Sequence, residues 1–207
     1  MGNTNENTEF KIIEAARKVF ILKGMDGARM QEIADEAGIN KALLHYYFRS
    51  KTKLFDRVFL ELFSEVVAVI NAEVEKASTL EQLIESLVSN YIQLITEKPF
   101  VPDFVLHELN RNPEMIIEYI QHKGLDLNKV FRLFQDETLN HVTYPISPVH
   151  MIVDVLALCV FPFVAKPIIK GFMLEDDELK YKKFIAERVS HVTGFIKTAL
   201  FINPQQS

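Results

Sequence analysis

The sequence predicts an all-α protein in which a small N-terminal helical domain is followed by a larger helical bundle. Apolar residues recur at spacings of three and four along most of the chain, which places them on one face of a helix. Glycines, prolines and an acidic turn separate these stretches at intervals that suit helix lengths. The alternation of apolar and polar residues that is typical of half-buried strands does not occur.

The first predicted helix has Thr8 as its N-cap and carries apolar residues on one face up to Phe20. Gly24 can adopt the left-handed conformation that follows the last turn of many helices. We therefore expect the first helix to end near Lys23.

Two short helices follow, over about 30–36 and 41–48, separated by the tight turn Gly38-Ile39-Asn40. Asn40 is expected to cap the second of them. Two short helices joined by a glycine-containing turn of about three or four residues are typical of a helix-turn-helix, whose second helix enters the major groove of DNA. A long helix over 51–76 comes next and is expected to link the two parts of the molecule.

The rest of the chain is also predicted to be helical, with prolines and an acidic turn as separators. Gly124 is expected to break or kink the longest of these segments. The predicted helices lie at about 80–97, 103–110, 113–141, 148–170 and 177–202.

Composition is that of an ordinary globular protein, with 48% hydrophobic and 25% charged residues. Cys159 is the only cysteine, which excludes an intramolecular disulfide and indicates a packing role in the core. The N-terminus lacks the pattern of a secretory signal, and the longest apolar run, 155–165, is shorter than the roughly 20 residues of a membrane span. The sequence therefore predicts a cytoplasmic protein with no membrane partner.

Charge is unevenly distributed along the chain, whose net charge is −5. Residues 1–57 hold ten Lys and Arg against eight Asp and Glu, whereas residues 58–207 hold thirteen against twenty. The stretch 37–55 holds four basic residues and no acid. A local basic surface on an acidic protein is what a small DNA-binding module needs.

Over about residues 10–57 the chain resembles the N-terminal domain of the TetR family of transcription regulators. The resemblance lies in the order and spacing of Ala15-Ala16 and Phe20 before Gly24, Ile33-Ala34, Ala37-Gly38-Ile39, Tyr47-Phe48 and Ser50-Lys51. It implies an all-helical homodimer whose residues 1–57 form a helix-turn-helix DNA-binding domain. Residues 58–207 would form a helical ligand-binding and dimerisation domain, in which an inducer commonly lowers the affinity for an operator.

Two positions depart from the family pattern. Arg29 stands where the family often has a threonine that caps the second helix, so a hydroxyl is replaced by a phosphate-seeking guanidinium. Leu43 stands where a small hydroxyl residue is common, and its side chain can contact a thymine methyl but cannot hydrogen-bond a base.

The candidate DNA-binding residues lie on the two short helices and at the start of the long one. Leu44 and Phe48 are expected to pack inward, Ala42 to allow close approach, and Tyr47 and Lys51 to lie near a phosphate. The alternative is that the tyrosines are packing residues and the lysines a solvated face. The nine candidates are Arg29, Gln31, Lys41, Ala42, Leu43, His45, Tyr46, Tyr47 and Lys51. The expected partner is a near-palindromic double-stranded DNA operator, bound by a homodimer.

A pocket for a small apolar ligand is expected in the C-terminal domain, where many of the sixteen phenylalanines lie. Its candidate lining, chosen from helix position and the family resemblance, is Tyr91, Phe104, His107, Phe131, Phe134, Met151 and Phe163. Helices 148–170 and 177–202 are expected to form the dimer interface through apolar stripes that include Val155 and Ile196.

Other polar clusters carry little chemistry. Glu118/His122 and Glu137/His141 have a spacing that places both side chains on one helix face, but two ligands do not make a metal site. His150 lies on an apolar segment and suits either packing or a ligand contact. No phosphate-binding loop or nucleophile motif occurs, so we expect neither an enzyme nor a cofactor.

Two functions follow from these observations. The first is a DNA-binding repressor released by a small apolar ligand. The alternative is a DNA-binding regulator whose C-terminal domain recruits a protein partner and binds no small molecule. A filled core would favour the second, and an apolar cavity would favour the first.

Overall fold

The computed structural model describes residues 2–125, 127–139 and 147–201. Within these ranges the regular structure is helical and no β-strand occurs, which confirms the all-α prediction. The elements are α1 (Gly2–Gly27), α2 (Met30–Glu36), α3 (Lys41–Tyr47), α4 (Lys51–Lys76), α5 (Leu80–Glu97), α6 (Val101–Arg111), α7 (Pro113–Lys123), α8 (Leu127–Leu139), α9 (Pro148–Val164), α10 (Lys166–Ile168), a π-helical segment (Ile169–Met173) and α11 (Glu178–Leu200).

The chain divides into two compact units, residues 1–64 and residues 65–207. Helix α4 contributes residues to both. The domain boundary expected from the sequence, after residue 57, also falls within α4. The assignment of DNA binding to one part and ligand binding to the other remains a prediction.

Helix α1 begins earlier than the sequence indicated. Thr8, the predicted N-cap, lies inside the helix, so that prediction was wrong. The residues between Gly2 and Thr8 include no proline, and the helix continues through them. At the other end the prediction agrees with the structure, because Gly24 leaves the helical region with φ 67° and ψ 175° before a last turn to Gly27.

The core of the first unit is formed by α1, α2, α3 and the beginning of α4. Ile12, Ile33 and Leu44 are completely buried. The rings of Phe20 and Phe55 meet edge to face with 5.0 Å between their centroids, a favoured aromatic geometry. This apolar centre holds the two short helices of the helix-turn-helix in place.

The second unit is centred on α5, which packs against α8, α9 and α11. Its buried residues recur at helical spacing, as Leu80, Ile84, Val88 and Ile95 illustrate. At the surface, the ammonium group of Lys197 on α11 forms ion pairs with the α5 residues Glu81 and Glu85.

The segment predicted as 113–141 is two helices, because Gly124 takes a left-handed conformation and ends α7. The segment predicted as one helix over 148–170 is also interrupted. Helix α9 ends at Val164, and a short α10 and the π-helical segment follow, so the single-helix prediction was wrong there.

Pro162 lies inside α9 without ending it. Proline has no N–H, so the carbonyl of Leu158, four residues earlier, loses its usual helical donor. The guanidinium of Arg188 on α11 donates a hydrogen bond to that carbonyl over 2.9 Å. The hydroxyl of Tyr181, also on α11, donates to the carbonyl of Pro162 over 3.1 Å. Helix α11 thus supplies hydrogen-bond donors to two backbone carbonyls of α9.

Candidate nucleic-acid interface and ligand cavities

The turn between α2 and α3 is fixed by backbone geometry. Gly38 has φ 67°, a left-handed conformation that favours glycine. The N–H of Ile39 donates to the carbonyl of Ala34 over 3.0 Å, which closes the end of α2. The side-chain oxygen of Asn40 accepts a hydrogen bond from the N–H of Leu43 over 2.8 Å, as the predicted N-cap of α3.

Helix α3 has one buried side and one exposed side. Leu44 is completely buried and Phe48, which follows the helix, is 8% exposed. Leu43 and Tyr47 are half-buried. The exposed members of the predicted DNA-binding set on this helix are Lys41, Ala42, His45 and Tyr46.

Tyr46 is the most exposed aromatic residue of the candidate interface, with 77% of its surface accessible. Its ring meets that of Tyr47 edge to face, with 5.5 Å between the centroids. An exposed tyrosine supported by a second ring is poorly explained by packing alone, since packing would bury it.

The beginning of α2 is held by a carboxylate. Glu32 accepts hydrogen bonds from the backbone N–H of Arg29 over 3.2 Å and from the ammonium of Lys23 over 3.0 Å. The hydrogen bond from Lys23, with that from Arg29, lowers the pKa of Glu32. Arg29 makes no side-chain cap, and its guanidinium is exposed.

Gln31 is also exposed, and its amide nitrogen donates to a carboxylate oxygen of Asp35 on the same helix over 2.8 Å. A contact of Gln31 with DNA would therefore compete with this hydrogen bond.

Lys51, at the start of α4, makes contacts within the chain that the sequence did not predict. Its side chain is half-buried, and its ammonium donates to the backbone carbonyls of Asp26 and Ala28, over 3.3 and 3.1 Å. No sequence pattern indicates this contact, because its partners are backbone atoms more than twenty residues away.

A small apolar cavity lies within the second unit, between α4, α5, α8 and α9, and has a volume of about 120 Å³. Its lining contains no polar side chain. The residues around it are Ile70, Val74, Leu83, Ile84, Leu87, Leu125, Leu127, Val130, Met151, Ile152, Val155 and Leu156.

A larger, open cleft of about 1150 Å³ lies in the same unit, between α5, the segment after α9, and α11. Charged residues line much of it, including Lys166, Lys170 and Glu178. The two lysines form ion pairs with Glu178, at 3.3 and 3.7 Å, so their charges are partly neutralised within the cleft.

The seven residues predicted to line one ligand pocket are distributed over several places. Met151 lines the small cavity, and Phe163 lines the open cleft. His107 is exposed and Phe131 is half-buried. Tyr91, Phe104 and Phe134 are buried but border neither cavity.

The predicted dimer stripes are also divided between core and surface. Val155, Val192 and Ile196 are buried within the chain. The large exposed apolar residues of α9 are Val149, Val153 and Phe161, which are 58%, 55% and 64% accessible.

The other candidate histidines and acids among the described residues lie on α7, α8 and α9. Glu118 and His122 are exposed on α7, and His150 is exposed on α9. His141 lies outside the described residues. Among the residues that the structure describes, no group of three or more His, Cys, Asp or Glu side chains is arranged to hold a metal ion.

No single helix in the described ranges is long and apolar enough to cross a membrane. Helix α9 and the segment Lys166–Met173 reach that length and hydropathy only as a pair, which is bent by 58°.

Comparison with known proteins agrees with this geometry. Residues 12–58 match the model of the bacterial regulatory proteins of the tetR family. A probable HTH-type transcriptional regulator, YttP of Bacillus subtilis (strain 168), is 27% identical over 187 residues, which cover 87% of this chain and 90% of YttP.

Solved structures have a similar fold over most of the chain. A TetR family transcription regulator from Marinobacter aquaeolei VT8 has a TM-score of 0.71 at 14% identity, covering 98% of this chain and 100% of that one. The transcriptional regulator FadR from Bacillus subtilis, in complex with stearoyl-CoA, has a TM-score of 0.66 at 14% identity, covering 92% and 98%. Residues 12–58 thus form a DNA-binding helix-turn-helix of the tetR family, and the chain as a whole is similar in sequence to an HTH-type transcriptional regulator and in fold to TetR family regulators.

Proposed function

We propose that this regulator is a homodimeric repressor that binds a near-palindromic operator and is released by a small apolar ligand. The observation that carries the DNA-binding part is α3, where the apolar side is buried and Lys41, Ala42, His45 and Tyr46 are exposed. No acid lies between residues 37 and 55 to repel a phosphate backbone.

A dimer is proposed because one short recognition helix contacts too few base pairs for a specific site. A two-fold dimer doubles the site and makes it palindromic. Selection of duplexes from a random library by the purified protein tests this proposal. We expect enrichment of a sequence with two inverted half-sites, and enrichment of no sequence would contradict it.

The ligand-binding part is supported by the apolar cavity of about 120 Å³. Because its lining offers no hydrogen-bonding side chain, a ligand would place hydrocarbon there. The solved FadR structure contains stearoyl-CoA, so fatty acids and acyl-CoA thioesters are the first compounds to test.

Helix α4 provides a physical route for coupling. It lines the cavity with Ile70 and Val74 and begins at Lys51, directly after the helix-turn-helix. A ligand shifts the DNA affinity only by its differential affinity for the two states, and a coupling of about 1–3 kcal/mol corresponds to roughly 5–150-fold.

The test measures operator affinity with and without compounds that calorimetry shows to bind. We expect weaker operator binding, by a factor in that range. The variant Val74→Phe places a ring in the cavity and should abolish both the binding of the compound and its effect on operator affinity. Ala68→Phe, at an exposed position of the same helix, should leave both unchanged. A bound compound that leaves operator affinity unchanged would reject the coupling.

Recruitment of a protein partner is the second candidate function. It is favoured by exposed apolar side chains after α9, where Ile168, Phe172 and Met173 are 61%, 84% and 65% accessible. It predicts that no small apolar compound changes operator affinity, and that substituting these three side chains impairs regulation in cells without impairing operator binding.

A further inference from the structure

The loop between α1 and α2 sets where the helix-turn-helix begins. This loop comprises residues 25–29, which are the last turn of α1 after the kink at Gly24, the buried residue Ala28 and the N-cap of α2, Arg29. The last carbonyls of a helix lack helical donors and carry the negative end of its dipole. A cation at this loop therefore satisfies the backbone and is electrostatically favoured.

Two ammonium groups reach this region from different helices. Lys23 on α1 donates to Glu32 on α2, and Glu32 in turn accepts from the N–H of Arg29. Lys51 on α4 donates to the carbonyls of Asp26 and Ala28. The first contact joins α1 to α2, and the second joins α4 to the loop between them.

The ammonium of lysine has three donors, and two of those of Lys51 are directed at the loop. The half-buried side chain would have to give up these hydrogen bonds to become a freely placed phosphate ligand. Arg49 and Lys53, on either side of it, are exposed and better placed for a phosphate by exposure alone.

We infer that Lys51 is a positioning residue, which ties the first turn of α4 to the loop that starts α2 and so holds the recognition helix in register for the operator. This inference rests on the proposed DNA-binding function. Because α4 also contributes residues to the second unit, a displacement of its first turn would act on the helix-turn-helix through this contact.

The test compares Lys51→Met, which keeps the unbranched chain and removes the donors, with Lys53→Met, which removes one positive charge from the same turn. Hydrogen exchange of the free protein reports on the loop and on α2. We expect exchange there to be roughly tenfold faster in Lys51→Met and unchanged in Lys53→Met, because only Lys51 binds the loop.

The second measurement is the affinity for the duplex selected by the wild-type protein, relative to a scrambled duplex, over a range of salt. For Lys51→Met we expect a roughly tenfold loss of this preference and an unchanged salt dependence. A lost phosphate contact would instead lower the slope of log K against log salt by about 0.9. That lower slope with unchanged hydrogen exchange would overturn the inference.

Lys51→Arg serves as the conservative variant and also covers the case in which Lys51→Met does not fold. Its guanidinium can donate to the same carbonyls, so exchange and operator preference should return towards wild type. If exchange and operator preference in Lys51→Arg remain as in Lys51→Met, Lys51 is not a positioning residue. A wild-type protein with no duplex preference would reject the proposed function, while the exchange comparison would still test the contact.

Discussion

We propose that individual residues of α3 contribute differently to DNA binding, according to their chemistry. Lys41 can donate to guanine or to a phosphate, whereas Ala42 and Leu43 offer only apolar contact, which suits a thymine methyl. Tyr46 combines a hydroxyl with an exposed ring supported by Tyr47. We therefore place most sequence preference on Tyr46 and Lys41.

Replacing Tyr46 tests this assignment. Tyr46→Ala should weaken binding to the selected operator by about 1–3 kcal/mol and change the preferred bases, because both ring and hydroxyl are lost. Tyr46→Phe should lose only the part that depends on the hydroxyl. Phe10→Ala removes a ring that is 64% exposed on α1 and should leave operator affinity unchanged. Fluorescence anisotropy with operator and scrambled duplexes measures these differences.

Cys159 lies in the core, in contrast to the exposed residues of α3. It is completely buried on α9, and burial raises the pKa of its thiol to about 12, an effect that the charge of Arg188 only partly offsets. Burial likewise raises the pKa of Tyr91 to about 12, with a contribution from Cys159. The thiol is therefore protonated and inert at neutral pH.

Thiol labelling of the folded protein should consequently be slow. At pH 8 we expect labelling of Cys159 to be at least about a hundredfold slower than in urea, because thiolate is scarce and access requires opening. Labelling by a chromogenic disulfide measures the rate. A folded-state rate close to that in urea would contradict the burial of this thiol.

At the scale of elements, α9 depends on α11 for its integrity. Pro162 leaves the Leu158 carbonyl without its helical donor, and Arg188 replaces that donor from the neighbouring helix. The two helices are thus joined by a hydrogen bond that exists because of the proline.

A double-mutant cycle tests this dependence. Arg188→Met should destabilise the protein by about 1–2 kcal/mol, because the carbonyl loses its donor. In a Pro162→Ala background the new N–H can donate within α9, so the cost should fall by about 1 kcal/mol. Urea unfolding at one fixed protein concentration measures the four variants. The contact of Arg188 with the Phe184 ring is lost in both backgrounds, so its contribution cancels in the cycle. If the two substitutions change the free energy of unfolding additively, the explanation is wrong.

At the scale of the whole molecule, α9 carries an exposed apolar stripe formed by Val149, Val153 and Phe161. Such a stripe is typical of a surface that is buried in an interface. The four-residue interval, continued by the exposed Ala157, places these residues along one side of the helix. A second copy of the chain can cover the stripe symmetrically, in agreement with the proposed dimer on α9 and α11.

Sedimentation tests this interface. We expect a dimer at micromolar concentration for the wild type and a folded monomer for Phe161→Glu combined with Val153→Glu, since buried unpaired carboxylates are costly. Leu179→Glu changes a residue that is 77% exposed outside the stripe and should remain dimeric. A monomeric wild-type protein would exclude the dimer, and a dimeric double variant would exclude this face.

The sequence alone determined the local features, because their causes are local. The left-handed conformation at Gly24, the tight turn at Gly38, the break at Gly124, the Asn40 cap and the inward packing of Leu44 were all expected from neighbouring residues. Burial within α11, by contrast, could not be assigned from periodicity, since an apolar residue such as Val192 suits a core and an interface equally.

Only the tertiary structure decided which distant groups meet. Lys51 contacts carbonyls near the end of α1, Arg188 replaces the donor that Pro162 lacks, and Met151 and Phe163 border different cavities. These outcomes depend on backbone atoms and on helices that are far apart in sequence. Residue spacing reports which face of its own helix a side chain occupies, and carries no information about the atoms that the neighbouring helix presents to that face.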